Sequence, residues 1–303
     1  MDLRQLSYVV AVVDEGGFTR AARSLHVAQP SLSQAVRALE AELGVELFHR
    51  LPRRVTLTAA GEALLEPARQ ALRDAATARS AVAEVVGLVA GHLDLVSLPT
   101  LAVHPSAELI GRFRQAHPHI TVRLVEPEDA DAVAERVRNG SSEVGFAELP
   151  IVGDGLVTHD LGTQEFVALV PASLSSGRGA PITIQALARQ PLITTPPGTS
   201  TRRQVDEAFA AAGLTASVAI ETDHREAIGP LVRAGAGVAV LPRSIAEDVQ
   251  TPETAVRPVR PAMVRRIGLV HRRGPLSPAA QGFLALAIDQ TSTRPKPRPR
   301  RRT

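Results

Sequence analysis

Five side chains able to pair with the edges of nucleic-acid bases fall within nine residues: Gln29, Ser31, Ser33, Gln34 and Arg37. An amide can bond adenine bidentately, a guanidinium guanine, and a hydroxyl either. Between them Leu32, Val36, Leu39 and Leu43 recur at i, i+4, i+7 and i+11, one apolar stripe of a helix. The bonding groups therefore occupy the opposite face. Pro30 fits only the first turn of that helix, and Gly44 ends it. A second group suits phosphates or a minor groove: Arg50, Arg53 and Arg54 surround the turn "LPRR", just before the strand-forming run Val55-Thr56-Leu57-Thr58.

These residues need elements to position them. Phe18, Ala21, Ala22 and Leu25 share one face of a preceding short helix. Gly16 and Gly17 supply a turn before it, and Thr19 is close enough to its start to cap it. Neither helix is long enough to persist alone. Each must lean on the other and on Leu3, Leu6 and Val9 to Val13 of an earlier helix, which makes a three-helix core. Two helices joined by the corner "HVAQP" form a helix-turn-helix. A plain helical hairpin with a solvated polar face would show the same spacing.

The stretch "FTRAARSLHVAQPSLSQAVRALEAELGVELFHR", continued by "VTLTAAGEALL", closely resembles the winged helix-turn-helix of LysR-type transcriptional regulators. The match runs with little interruption from Leu3 to Leu65. It implies that Gln29, Ser31, Ser33, Gln34 and Arg37 lie at the DNA, with Pro30 opening the recognition helix. Where many relatives carry arginine, this chain has Gln34.

From Thr58 the chain reads as one long helix to about Ala90. With Leu65 at heptad position a, the a and d positions are Leu65, Ala68, Leu72, Ala75, Arg79, Val82, Val86 and Val89. All but Arg79 are apolar, which favours packing against another helix. Pro67 is expected to kink its first part. A helix packed on its own domain would carry the same stripe. In the resembling family this segment is the linker helix of a dimer.

Beyond residue 90 strands and helices alternate, the rhythm of a mainly parallel sheet covered by helices. Strands are expected at "HLDLVSLP", "ITVRLVEP", "SEVGFAEL", "GTQEFVALVP", "PLITTP", "SVAIET", "VAVLP" and "RRIGLVHR". Helices are expected between them and at "SPAAQGFLALAIDQ". Two similar halves joined near 162–164 and 264–267 would enclose a cleft. The resemblance implies the same: a two-lobed effector domain of the periplasmic-binding-protein kind. The expected division is therefore a winged helix-turn-helix over 1–58, a linker helix over 59–90 and an α/β effector domain over 91–293. Lobe I takes about 91–162 and 267–293, and lobe II about 163–266.

Within that cleft, Thr199, Ser200 and Thr201 begin a helix, where free N–H groups favour an anion. Thr100 follows the first strand, facing the cleft in the resembling family. His224 and Arg225 begin another helix and can supply positive charge. Thr and Ser at helix starts also serve as caps, and Arg225 could instead pair with Glu226 or Glu221 on the surface.

Composition narrows the rest. There is no cysteine, which removes disulfides, thiolate metal sites and the cysteine-based peroxide sensing known among LysR-type proteins. The lone lysine, Lys296, removes Schiff-base chemistry from nearly the whole chain. "RAGAGVAVLP" carries a G-x-G in the wrong order for a dinucleotide site, after a helix and before a strand. No nucleophile elbow occurs, and "HPHI" lacks companion metal ligands. The formal charge of +3 includes six basic groups in "RPKPRPRRRT", leaving −3 for the rest. Residues 294–303 are thus expected to be a disordered basic tail, able to add phosphate affinity or merely solvated. No apolar run approaches the roughly 18 to 20 residues of a membrane span. The start "MDLRQLSYVV" lacks a secretory pattern, so a cytoplasmic protein is expected.

The reading is a LysR-type regulator without catalytic activity. Its implied partners are a double-stranded DNA operator, a small carboxylate effector, further copies of itself in a homodimer or homotetramer, and RNA polymerase. It needs no cofactor, metal or membrane. A solute-binding protein of the periplasmic type is the alternative. That would explain the lobes but neither the helix-turn-helix nor the start of the chain.

Overall fold

The computed structural model describes residues 1–51, 54–85, 91–151, 153–174 and 180–293. At 50, 51, 54, 77, 79–85 and 290–293 it describes the backbone alone. Expectations for Arg53, Val86, Val89 and the tail lie outside the described residues.

Helices α1 (Leu3–Asp14), α2 (Phe18–Ser24) and α3 (Gln29–Leu43) precede a hairpin of β1 (Phe48–Leu51) and β2 (Arg54–Leu57). Asp2 and Gln5 form a reciprocal capping box at the start of α1. Gly17, not Thr19, is the N-cap of α2, and no side chain bonds there. The glycine turn delivers the chain into the helix without needing that hydroxyl. Pro30 lies in the first turn of α3. Gly44 closes α3 at φ 70°, a left-handed conformation that disfavours a side chain. Leu6, Val9, Val12, Ala21, Ala22, Leu32, Val36 and Leu39 bury together. Leu3 and Leu43 stay about 40% exposed, so the stripes are one residue shorter than their spacing suggests.

Helix α4 (Ala59–Val85) begins under Thr58, whose Oγ1 accepts from Gly61 N–H. Gly61 is required: a Cβ there would lie 2.2 Å from the Leu47 carbonyl oxygen. Ala68 and Leu72 pack into the N-terminal core, and buried Arg69 pairs with Asp14 of α1. Two positions of the heptad stripe, Ala68 and Leu72, thus serve their own domain.

The remainder is one nine-stranded mixed sheet. It contains β3 (Gly91–Ser97), β4 (Ile120–Val125), β5 (Val144–Leu149), β6 (Leu156–Pro171), β7 (Ile182–Thr183), β8 (Leu192–Thr194), β9 (Val218–Glu221), β10 (Val238–Pro242) and β11 (Thr254–Arg272). Around it lie α5 (Pro99–Leu101), which runs through a kink at His104 into α6 (Ala107–Ala116), then α7 (Ala130–Arg138), α8 (Ile184–Leu187), α9 (Ser200–Ala211), α10 (Ile228–Arg233), α11 (Arg243–Asp248) and α12 (Pro278–Thr293). The strand order is β4-β3-β5-β11-β6-β10-β8-β9, with β7 beside β11. β4, β3 and β5 are mutually parallel, as are β10, β8 and β9. The long strands β6 and β11 run antiparallel to each other and cross between the two sets. Each set has its own core. One gathers Phe113, Phe146 and Phe283 edge to face; the other gathers Phe166, Val205 and Phe209.

Candidate functional site

Two arrangements of polar side chains stand out. On α3, Gln29, Pro30, Ser31, Gln34 and Arg37 are exposed and Ser33 is half-buried, opposite the buried stripe. The hairpin beside them is fixed to the same body. Glu40 of α3 accepts from the N–H groups of Leu47 (2.9 Å) and Phe48 (3.3 Å). Phe18 of α2 meets Phe48 edge to face at 5.5 Å. Glu40 and Phe48 were missed as positioning residues, although a glutamate one turn before Gly44 was a readable signal. Arg50 and Arg54 sit on the two strands of the hairpin, paired through Arg50↔Val55 and Leu51↔Arg54.

The second arrangement lies where β6 and β11 cross, with Gln164 opposite Arg265 in register. Arg265 is 3% exposed, although it is a full cation. Its Nε (2.9 Å) and Nη2 (2.6 Å) donate to Gln164 Oε1, and Nη2 also donates to Thr100 Oγ1 at 2.6 Å. Its guanidinium lies over the Phe166 ring, 5.1 Å from the centroid. Its Nη1 stands 3.8 Å from Glu148 Oε2 without a hydrogen bond. Burial lowers Arg265 to about 10, with Glu148 opposing that shift. Burial likewise raises the Glu148 carboxyl, with Arg265 and Arg203 opposing.

Glu148 is held from lobe II: Gln204 Nε2 of α9 donates to its Oε1 at 2.6 Å. Thr201, one turn earlier on α9, is buried with no partner for its Oγ1 among the described residues. Thr100, Glu148, Gln164, Gln204 and Arg265 thus meet across the lobes. Of these, sequence reasoning had named only Thr100.

The rim is arranged otherwise. Thr199 Oγ1 bonds Thr195 Oγ1 at 2.6 Å and caps α9 through Arg202 N–H. Ser200 N–H donates to the Glu128 carbonyl of the opposite lobe at 2.9 Å. The expected anion site at this helix start therefore has two of its groups already engaged. Arg225 chelates the Glu128 carboxylate through Nη1 and Nη2 rather than pairing with Glu226 or Glu221, and its Nε has no partner among the described residues. Glu221 is taken by Arg202 at 3.1 Å. His224 is exposed beside Asp223 and Glu226, outside the inner cluster, because the turn Arg225–Ala227 points it to solvent. Glu128, Asp129, Pro196 to Thr199, Asp223 and Arg225 line an outer hollow of about 440 Å³.

A winged helix-turn-helix ahead of a two-lobed α/β unit with polar groups at the lobe crossing defines a ligand-responsive DNA-binding regulator. Comparison with known proteins agrees. Residues 3–62 match the bacterial regulatory helix-turn-helix of the lysR family, and residues 86–292 match the LysR substrate binding domain. The chain belongs to the LysR family and is a DNA-binding transcriptional regulator with an effector-binding domain. It is similar to the nitrogen assimilation regulatory protein nac of Escherichia coli, 32% identical over 97% of this chain and 96% of that protein. The SDS degradation transcriptional activation protein of a Pseudomonas species is 31% identical over 97% and 98%. Among solved structures, a full-length OxyR variant from Pseudomonas aeruginosa superposes with TM-score 0.75 at 28% identity, covering 97% and 95%. CbnR complexed with its target DNA gives 0.66 at 28%, covering 96% and 100%. The family consists of transcriptional regulators rather than enzymes, and its members bind DNA, form oligomers and take small-molecule effectors. No helix of the described residues is long and apolar enough to cross a membrane.

Proposed function

We propose that this regulator binds its operator through α3 and the hairpin, and that a small carboxylate between the lobes controls that binding. Gln29, Ser31, Ser33, Gln34 and Arg37 read bases in the major groove, while Arg50, Arg53 and Arg54 meet the backbone or minor groove. Pro30 sets the start of the reading helix. The division into 1–58, 59–90 and 91–293 follows this work: reading, linking and sensing. Packing of the linker helix against that of a second copy would place two reading helices on half-sites about one turn apart. The mostly apolar heptad positions from Ala75 onward support that pairing. The protein then acts in the cytoplasm, as a homodimer or homotetramer beside RNA polymerase.

The observation that carries the effector reading is Arg265. It is a buried guanidinium with one amino group lacking a hydrogen bond, and Gln164, which it binds through Oε1, leaves its Nε2 unpartnered as well. Burying such donors without acceptors is costly, and a carboxylate supplies charged acceptors for them. Thr100 and Thr201 add hydroxyls, Thr199 and Ser200 shape the entrance, and Arg225 with His224 belongs to the rim. A ligand preferring closed lobes shifts the geometry that the linker transmits. The test is a thermal-shift screen of small carboxylates on the full chain, repeated with operator DNA by fluorescence anisotropy. Stabilisation in the wild type that is lost in Arg265→Met and reduced in Thr100→Val supports the reading. Hits that are all neutral molecules, or that survive Arg265→Met, sink it.

A further inference from the structure

The inner cluster is not a purely cationic socket, and this limits what can enter it. Arg265 Nη1 and Glu148 Oε2 stand 3.8 Å apart, each buried and neither hydrogen-bonded. They are an ion pair held just out of bonding reach, and Arg203 Nη2 at the rim of the cluster approaches the same Oε2 to 3.7 Å. The other ends of both side chains are anchored: Arg265 by Gln164 and Thr100, Glu148 by Gln204. Neither group can therefore swing away to leave the other alone. A carboxylate that docks on Nη1 must arrive beside the Glu148 carboxylate, in a place where water cannot screen the two. Like charges so placed are unfavourable unless a donor lies between them.

Resting on the carboxylate reading above, we infer that the effector carries a hydrogen-bond donor next to its carboxylate, as in a 2-amino or 2-hydroxy acid. Arg265 Nη1 and Gln164 Nε2 take the carboxylate, and Glu148 Oε2 takes the ammonium or hydroxyl. Insertion turns a separated pair into an alternating chain of charges: guanidinium, carboxylate, ammonium, carboxylate. The orphaned atoms of Arg265, Gln164 and Glu148 are then all used. Burial already raises the Glu148 carboxyl, against the opposing pull of Arg265 and Arg203. Glu148 thereby becomes the residue that separates substituted from plain acids.

The experiment uses the full-length protein and three matched ligand series, each of aliphatic acids three to six carbons long: plain acids, 2-hydroxy acids and L-2-amino acids. Thermal shift and calorimetry are read on the wild type and on Glu148→Gln, whose amide can still accept from Gln204. In the wild type at least one amino or hydroxy acid should bind ten-fold or more tighter than its plain counterpart. In Glu148→Gln the amino acid should lose at least ten-fold, the hydroxy acid should change little, and the plain acid should gain. Plain acids that match their substituted counterparts in the wild type overturn the donor requirement while leaving the carboxylate reading intact. No response from any of the three series overturns both. A Glu148→Gln protein that loses all series equally removes Glu148 from the role, as does an unchanged preference. If that variant melts before it can be titrated, the wild-type comparison alone decides.

Discussion

The reading face of α3 and the inner cluster of the cleft use nearly the same chemistry in opposite surroundings. Both rely on amides, hydroxyls and a guanidinium. On α3 Gln29, Ser31, Gln34 and Arg37 are exposed over an apolar stripe that holds the helix, so they contribute little to folding. At the lobe crossing they are buried and hold one another, so folding and the proposed binding would share the same atoms. A surface that must meet a large polyanion can leave its polar groups in water. A pocket for a small molecule must remove them from water beforehand, and the scaffold must satisfy what the ligand does not.

That difference predicts a separation of stability from binding, largest at Arg265. Arg265→Met keeps the bulk but strands Gln164 Oε1 and takes from Glu148 one of its two neighbouring guanidinium groups, and removing one partner of a buried ion pair costs up to about 3–5 kcal/mol. Urea denaturation should show that loss, together with loss of any carboxylate response. On α3, Gln34→Ala and Arg37→Ala should each leave stability within about 0.5 kcal/mol. Each should cost on the order of 1–3 kcal/mol on the specific operator and relax preference at one base pair. Equal loss on specific and random DNA would make them backbone contacts. A stability loss on α3 as large as that at Arg265 would erase the contrast between the two regions.

The same contrast explains what could be read from sequence. The helix-turn-helix is local: its stripe, its proline and its closing glycine all lie within 27 residues, from Phe18 to Gly44. The βαβ rhythm is equally local, and most strands stand where alternation and apolar runs put them. The long crossing strands are not. Residues 254–264 contain Pro258 and Pro261, which argue against a strand, yet the chain pairs there with the register shifting between Pro258 and Met263. "VRR" looks like surface charge, but period-two alternation through Met263, Arg265, Ile267 and Leu269 puts one arginine inside. Arg266 on the other face is 60% exposed and pairs with Asp160. That alternation was the available signal for Arg265. For Glu148 there was none, because its partners lie 56 and 117 positions away on other elements.

A smaller effect belongs to the hairpin. Replacing Arg53 and Arg54 together with alanine should weaken binding to all DNA alike and reduce the salt slope by about one to two units. Affinity measured across a salt series checks this. An unchanged slope would remove the hairpin from the interface and leave α3 to read alone.

The smallest effect is expected at Arg225, the residue between the two regimes. Its guanidinium chelates Glu128 across the mouth of the cleft, with side chains 26% and 47% exposed. A bridge this open to water is worth at most about 1 kcal/mol. Arg225→Ala should therefore lower stability only slightly. If the pair is a latch, breaking it opens the lobes a fraction of the time, and every effector loses affinity by the same factor. Glu128→Gln should then mimic Arg225→Ala. If Arg225 instead receives the effector's carboxylate, as its place at a helix start first suggested, the two variants must diverge. Freeing Arg225 from Glu128 would tighten carboxylates, and removing Arg225 would abolish them. Calorimetry with one responsive carboxylate on both variants separates the outcomes. Parallel small losses keep Arg225 at the rim as a latch, and opposite changes move the binding site outward from Arg265.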